Sequence, residues 1–516
     1  MYTQESWRDQ ASRHHETFND LLYRKLRGTP WWLISAAVHA VIVLILFQLP
    51  FALPPSASKS AVSASVVEEI PTVHEELTPP SPRESKPVRD NQTPLPDPRV
   101  TKDAVDPKNE DDTADPFNET LGAKDFLGES FLDGPETNPA IGIGDSAGGP
   151  FAGRGGLRKM RAGGRGGTEE SLRRGLSWLA NHQSEDGMWD CDGFSSRCSK
   201  LGVCDGPGNA MYDPGVSGLA LLAFLGAGET HRHGQYRKNV EKGLRYLRQI
   251  QDPEGCFGPR TTSQFTYNTS IAALAMAEGY GMTGSPLLRR SAQQGIDFLH
   301  KAQNPYLAWR YGVRPGDNDT SVTGWMVMAL KSARMAGLDV DQAAFDGAGQ
   351  WVEKVTEPEY GRVGYTARGS GSARPSDLAD RFPADRTESM TAVGLLIRIF
   401  LGEDPKESEM IKKGAALLQK SLPVWDEASG SIDMYYWYYG TLAMFQVDGE
   451  GWKQWNNAIK DAIVDHQRTD GDERGSWDPV GPWGREGGRV YSTALNTMCM
   501  EVYFRYPKVF GTGKGR

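Results

Sequence analysis

From Thr168 to Pro507 apolar residues recur at helical spacing in six blocks, 168–183, 235–251, 286–303, 341–354, 405–420 and 450–468. Each block is charged on one side; in the first, Leu172, Leu176, Leu179 and Ala180 form the apolar stripe. Such a stripe predicts a helix lying on an outside. Between these blocks run six paler stretches rich in small residues, 214–228, 264–282, 317–337, 386–402, 433–447 and 486–506. Helices apolar nearly all round belong inside. The alternation predicts an all-α fold, an (α/α)6 toroid of six helix pairs in an inner and an outer ring. Closure also explains why no polar capping repeat is needed, as it would be in an open solenoid.

The outer blocks end on a shared punctuation. Gln183 to Trp189 reads QSEDGMW, and Gln251 to Phe257 reads QDPEGCF. A third copy runs from Gln303 to Trp309, with Ala308 assigned to the glycine slot, and a fourth from Gln467 to Trp477 carries an insertion before Gly475. A motif used this often marks an internal repeat. Its chemistry suits a helix end: glutamine bonds free backbone groups, glycine takes a left-handed turn, and the aromatic ring fills a seam.

Upstream, Trp31 to Leu53 runs almost without charge and is long enough to cross a bilayer. Trp31 and Trp32 suit an interfacial belt, and Arg24, Lys25 and Arg27 precede the span. These features predict an uncleaved single-pass anchor with residues 1–30 cytoplasmic and the rest outside. Ser35 and His39 share one face of that helix, and an ionisable residue there suggests a membrane partner. Alternatively, His39 is tolerated by snorkelling or by a helix neighbour. Residues 54–167 are rich in proline, then acidic, then rich in glycine and arginine, and predict a disordered linker. No Gly-Lys-Ser or Gly-Lys-Thr occurs there, so the glycines do not form a phosphate loop. Residues 508–516 are a tail.

The formal charge of −9 argues against a nucleic-acid binder. Five cysteines are too few for a disulfide scaffold, but Cys191, Cys198 and Cys204 share one loop, as a local disulfide or as free thiols. Their spacing is not paired Cys-x-x-Cys and no histidine lies inside the loop, so neither a metal site nor a cofactor is expected.

The Gln-x-x-x-Gly-x-Trp copies resemble the QW motif of squalene–hopene cyclases and related prenyltransferase-type toroids, and the resemblance covers residues 168–507. It implies the same closed ring. The cyclases protonate a polyene with an Asp-x-Asp-Asp-Thr-Ala motif at the start of an inner helix. The nearest match is Gly316 to Ser321, where Asn318 replaces the proton-donating aspartate and Gly316 the first; Asp319 and Thr320 match. Asp317 substitutes only if the loop shifts by one residue. Of the prenyltransferase zinc ligands, only Cys499 has a counterpart, in an apolar setting. The Ser35-x-x-x-His39 pattern resembles the anchor of TonB-type energy transducers and implies a membrane motor-type partner.

In a toroid the inner helices all start at one mouth. Aligning their starts brings Asp213, Asn268, Asp319, Glu388 and Tyr436 to equivalent positions, with Tyr267, Tyr435 and Tyr491 beside them. Asp213, Tyr267, Asn268, Asp317, Asn318, Tyr435, Tyr436 and Tyr491 are therefore the expected ligand-binding residues, and Asp319 with Glu388 the expected acid/base pair. The same positions also suit helix capping. The loop 361–386 is long enough to be functional and is expected to overhang the mouth. The expected protein is an inner-membrane, single-pass chain whose periplasmic toroid binds an unknown ligand or partner without cyclising it. An isoprenoid cyclase-like enzyme and a glycan-active toroid are the alternatives.

Overall fold

The computed structural model describes residues 167–199, 203–262 and 264–502. Among them twelve α-helices alternate between two layers. In chain order they are α1 (Thr168–Asn181), α2 (Asp213–Gly226), α3 (Arg237–Ile250), α4 (Phe265–Thr283), α5 (Pro286–Ala302) and α6 (Thr320–Met335). The second half adds α7 (Gln342–Val355), α8 (Ser389–Phe400), α9 (Glu409–Lys420), α10 (Met434–Val447), α11 (Gly449–Val464) and α12 (Gly484–Met500). The even-numbered helices form the inner ring. Each packs on the next, and α12 packs back on α2. The ring is closed, and α1 seals the outer layer against α11 and α12.

Burial divides the layers as the patterning predicts. Outer helix α3 buries only Val240, Gly243, Leu244, Tyr246 and Leu247. Inner helix α8 buries every residue from Ser389 to Phe400. Boundaries shift where caps decide them. Ser408 accepts a hydrogen bond from Ile411 N, so α9 begins at Glu409 and not near 405. In α12 the chain kinks at Gly488, whose φ is 66°.

The glutamine motif is a repeat-to-repeat clamp. Gln183 Nε2 donates to Gly187 O at 2.9 Å and to Asn239 O of the next outer helix at 3.0 Å. Gln251 does the same to Gly255 O and Ser291 O. Gln303 bonds Leu307 O and Ala344 O. Gln467 bonds Gly475 O and reaches Ser171 O on α1, which carries the clamp across the ring closure. The third copy corrects the expected register: Leu307, not Ala308, holds the glycine slot, and Trp309 sits in step with Trp189. Leu307 fits there because Gly347 on α7 leaves room for its carbonyl.

A second repeat is not apparent from the sequence. The backbone N–H of each motif aromatic donates to an inner-helix hydroxyl: Trp189 to Ser217, Phe257 to Thr269, Trp309 to Thr323, and Trp477 to Thr493. Val363 N donates likewise to Thr391.

The expected anchor at 31–53 with Ser35 and His39, most of the linker and the tail lie outside the described residues. Among the described residues no helix is long and apolar enough to cross a membrane.

Candidate functional site

The hydroxyl column fixes which residues face the mouth. Two positions before Ser217, Thr269, Thr323, Thr391 and Thr493 stand Gly215, Tyr267, Ser321, Ser389 and Tyr491. Asp433 caps α10 as Asp319 caps α6, so Tyr435 is the counterpart of Ser321. The hydroxyls of Tyr267 and Tyr435 both lie 2.7 Å from Ser321 Oγ. Tyr435 belongs to α10 and Ser321 to α6, with α8 between them in the ring, so this bond spans the interior. Trp325 of α6 crosses the same way, stacking on Tyr438 of α10 at 5.7 Å and meeting Tyr439 edge-on at 5.5 Å.

These rings fill the centre. One turn below the mouth stand Leu219, Ile271, Trp325, Val393, Tyr439 and Leu495, all buried. A water-sized or larger chamber would leave exposed surface on the inner helices. Instead α2 is buried from Pro214 to Gly226, α6 from Thr320 to Ala333 and α10 from Met434 to Gln446. In the upper half of the inner ring Asp213, Tyr267, Glu486 and Tyr491 are half-buried and Arg485 is exposed, with Tyr212 and Tyr311 near them. Burial raises the Tyr267 and Tyr491 hydroxyls well above the usual tyrosine range. The mouth is therefore shallow, with an aromatic rim over a floor of largely buried side chains.

The expected residues divide. Tyr267, Tyr435 and Tyr491 come together at the mouth. Asp213 sits beside it at the start of α2, accepting from Cys191 N at 2.8 Å. Burial and then the neighbouring Asp190 and Asp192 carboxylates push its carboxyl up to about 7, against the Cys191 N–H bond. Tyr436 turns the other way: its hydroxyl donates to Ser421 O and its ring meets Trp455 of α11. Asp433 is the residue that belongs in the cap position assigned to Tyr436. Asn268 donates to Met211 O, toward α2. Asn318 accepts from Asn304 Nδ2 and Ala308 N, both at 3.0 Å, which spends its amide oxygen on the turn. Asp317 is largely exposed and pairs with Arg310.

The expected acid/base pair has no common partner among these contacts. Glu388 is held by Arg362 through three hydrogen bonds of 2.6–3.2 Å and by Thr391 Oγ1. Asp319 is fully buried, accepts from Val322 N at 2.7 Å and Tyr365 Oη at 3.3 Å, and lies 3.8 Å from Arg310 Nε. Burial pushes its carboxyl up to about 7, with the Val322 N–H and Arg310 pulling the other way.

A raised carboxyl pKa means that folding favours the protonated form. The associated stability is complete below the unfolded value near 4 and is lost as pH climbs toward 7. Asp319→Asn keeps the cap and removes this loss, so its stability relative to wild type should rise between pH 4 and pH 8. Asp319→Ala should cost about 1 kcal/mol more than Asp319→Asn across that range, because the cap is gone. Urea titrations of the three proteins at both pH values measure this; a flat Asn-minus-wild-type difference would refute it.

The 361–386 loop lies over one side of the mouth. Thr320 Oγ1 donates to Gly364 O, Arg374 donates to Asp433 at 2.8 Å, and Arg485 Nη2 donates to Asp377 at 2.6 Å. The loop is thus tied to α6, α10 and α12. Sequence reasoning misses a group at the end of α1, where the buried His182 and Cys204 meet the half-buried Cys198. All five cysteines are free.

Residues 155–293 match the squalene-hopene cyclase C-terminal domain. The toroid is squalene-cyclase-like. A squalene–hopene cyclase from Bradyrhizobium diazoefficiens is 26% identical over 191 residues, covering 34% of this chain and 27% of that protein. Similar solved structures include the type II terpene cyclase MstE from Scytonema, 14% identical over 65% of this chain and 96% of that one, at a TM-score of 0.42. An alpha-1,6-mannanase of Salegentibacter is 11% identical over 64% of this chain and 98% of that one, at a TM-score of 0.44.

Proposed function

We propose that this squalene-cyclase-like toroid is a binding module, held outside the cytoplasm by the 31–53 anchor, that takes a ligand or partner at its shallow mouth and performs no cyclisation. The observation that carries the reading is the filled centre: Trp325 of α6 meets Tyr439 of α10, and Ser321 of α6 meets Tyr435 of α10, across the interior of the ring. The acid position supports it, since Asn318 is an amide committed to a turn. Tyr267, Tyr491 and Asp213 then supply an aromatic and acidic contact surface.

A second reading rests on Asp319, a buried carboxyl near neutrality with Tyr365 and Arg310 beside it, the environment of a general acid. One experiment separates the two. The full-length protein in detergent is incubated with squalene and with a polysaccharide panel. No turnover is expected; turnover abolished by Asp319→Asn would replace the binding reading with the enzymatic one. A reporter fused after Arg516 should be active only outside the cytoplasm, and activity inside would remove the anchor from the proposal.

A further inference from the structure

The group at the end of α1 is independent of the mouth. His182 Nε2 lies 3.6 Å from Cys198 Sγ and 3.4 Å from Cys204 Sγ. One ring nitrogen has one lone pair and cannot accept from both thiols at once. A single cation between the three atoms would satisfy them all. Zinc bonds of about 2.3 Å to sulfur and 2.0–2.1 Å to nitrogen, at a tetrahedral angle, require a nitrogen–sulfur edge of about 3.5 Å. Both observed edges have that length.

The surroundings are those of a ligand set. His182 Nδ1 is 2.8 Å from the Trp178 carbonyl, to which it can only donate, so Nε2 is left as the lone-pair nitrogen facing the sulfurs. Trp178 stacks on the imidazole at 4.1 Å and fixes its plane. The Cys204 N–H donates to Cys198 Sγ at 3.2 Å, which holds the two cysteines on one side of the imidazole. Asp472, from the turn of the last repeat, lines the same cleft as His182 and Cys198. Its Oδ1 accepts from Ser199 at 2.6 Å, while its Oδ2 is buried without a hydrogen-bond partner. His182, Cys198, Ser199 and Asp472 all line a cleft of about 870 Å³ that opens to solvent and gives an ion a way in.

We propose that His182, Cys198 and Cys204 bind a thiophilic divalent cation of the zinc class, with a water in the fourth position. The ion joins the end of α1 to the cysteine loop of the first repeat, and Ser199 of that loop meets Asp472 of the last turn at the seam where the ring closes. It has a structural role and takes no part in events at the mouth.

The test uses the full-length protein, purified in detergent under mild reduction without chelator. Elemental analysis should give one zinc per chain. Cobalt titrated into metal-stripped wild-type protein should produce thiolate charge-transfer and tetrahedral d–d absorption at one equivalent, and this measurement needs no variant to fold. Cys198→Ser and Cys204→Ser should lose the thiolate band in proportion to the sulfur removed, and Cys256→Ser should keep it. Chelation should lower the melting temperature. A reduced protein that gives no cobalt spectrum, a spectrum that survives Cys198→Ser together with Cys204→Ser, or a Cys198–Cys204 disulfide found in freshly isolated protein would each overturn the proposal.

Discussion

Gly255→Ala should destabilise the toroid by more than about 3 kcal/mol, read from urea titration. Gly255 has a φ of 97°, a conformation that costs an L residue roughly 1–2 kcal/mol. The greater penalty is steric. A Cβ at this position would collide with the backbone carbonyl of Gln294 on α5, which cannot rotate away as a side chain would. Relief requires the turn to lift off α5. That movement breaks the Gln251 bond to Ser291 O and withdraws Phe257 from its site against Gly295. Gly284 provides the comparison: its φ is also positive, at 59°, but nothing lies within 4 Å of an added Cβ. Gly284→Ala should cost about 1 kcal/mol. Equal losses for the two variants would show that the clamp does not govern stability.

Arg489→Met should cost about 2–3 kcal/mol, because it removes a fully buried cation and its charge-assisted hydrogen bonds, while Arg468 still pairs with Glu473 and Asp478 and Asp205 stays solvated. The Arg489 guanidinium pairs with Asp205, with Glu473 at 3.1 Å and with Asp478 at 2.7 Å, and its Nε donates to Asp205 O at 2.9 Å. These partners come from the cysteine loop of the first repeat and the turn of the last, while Arg489 itself stands on α12. Methionine preserves much of the volume, so the loss reads the charge and not a cavity. Arg485→Met, which removes an exposed pair with Asp377, should leave stability nearly unchanged. Comparable effects at positions 485 and 489 in equilibrium denaturation would show that burial of the charge is not what matters.

Much of the ring is legible in the sequence because its signals are local. Outer stripes such as Leu172, Leu176 and Leu179 follow from helical geometry, and the glutamine motif announces each repeat. The inner helices betray themselves by lacking a polar face. Register and reach are harder to read. Tyr436 competes with Asp433 because several polar or aromatic residues crowd one turn, and only the cap bond from Tyr436 N to Asp433 decides among them. Glu388 looks like a free carboxylate in the sequence because Arg362 is distant along the chain. The filled centre depends on how far Trp325 and Tyr439 extend across a closed ring, which no periodicity encodes. The cysteine loop taken by itself shows no nitrogen ligand, because the imidazole that faces it is the residue just before Gln183. A histidine abutting a repeat motif, beside an unexplained cysteine run, is the available clue.

Ring closure also has a mechanical consequence. The chain enters the toroid on α1 and leaves it on α12, and these two helices touch. Anything attached upstream of Thr168 or downstream of Val502 therefore pulls on one joint, the one fastened by Gln467 and Arg489, while the opposite side of the hoop around α6 carries little of the load.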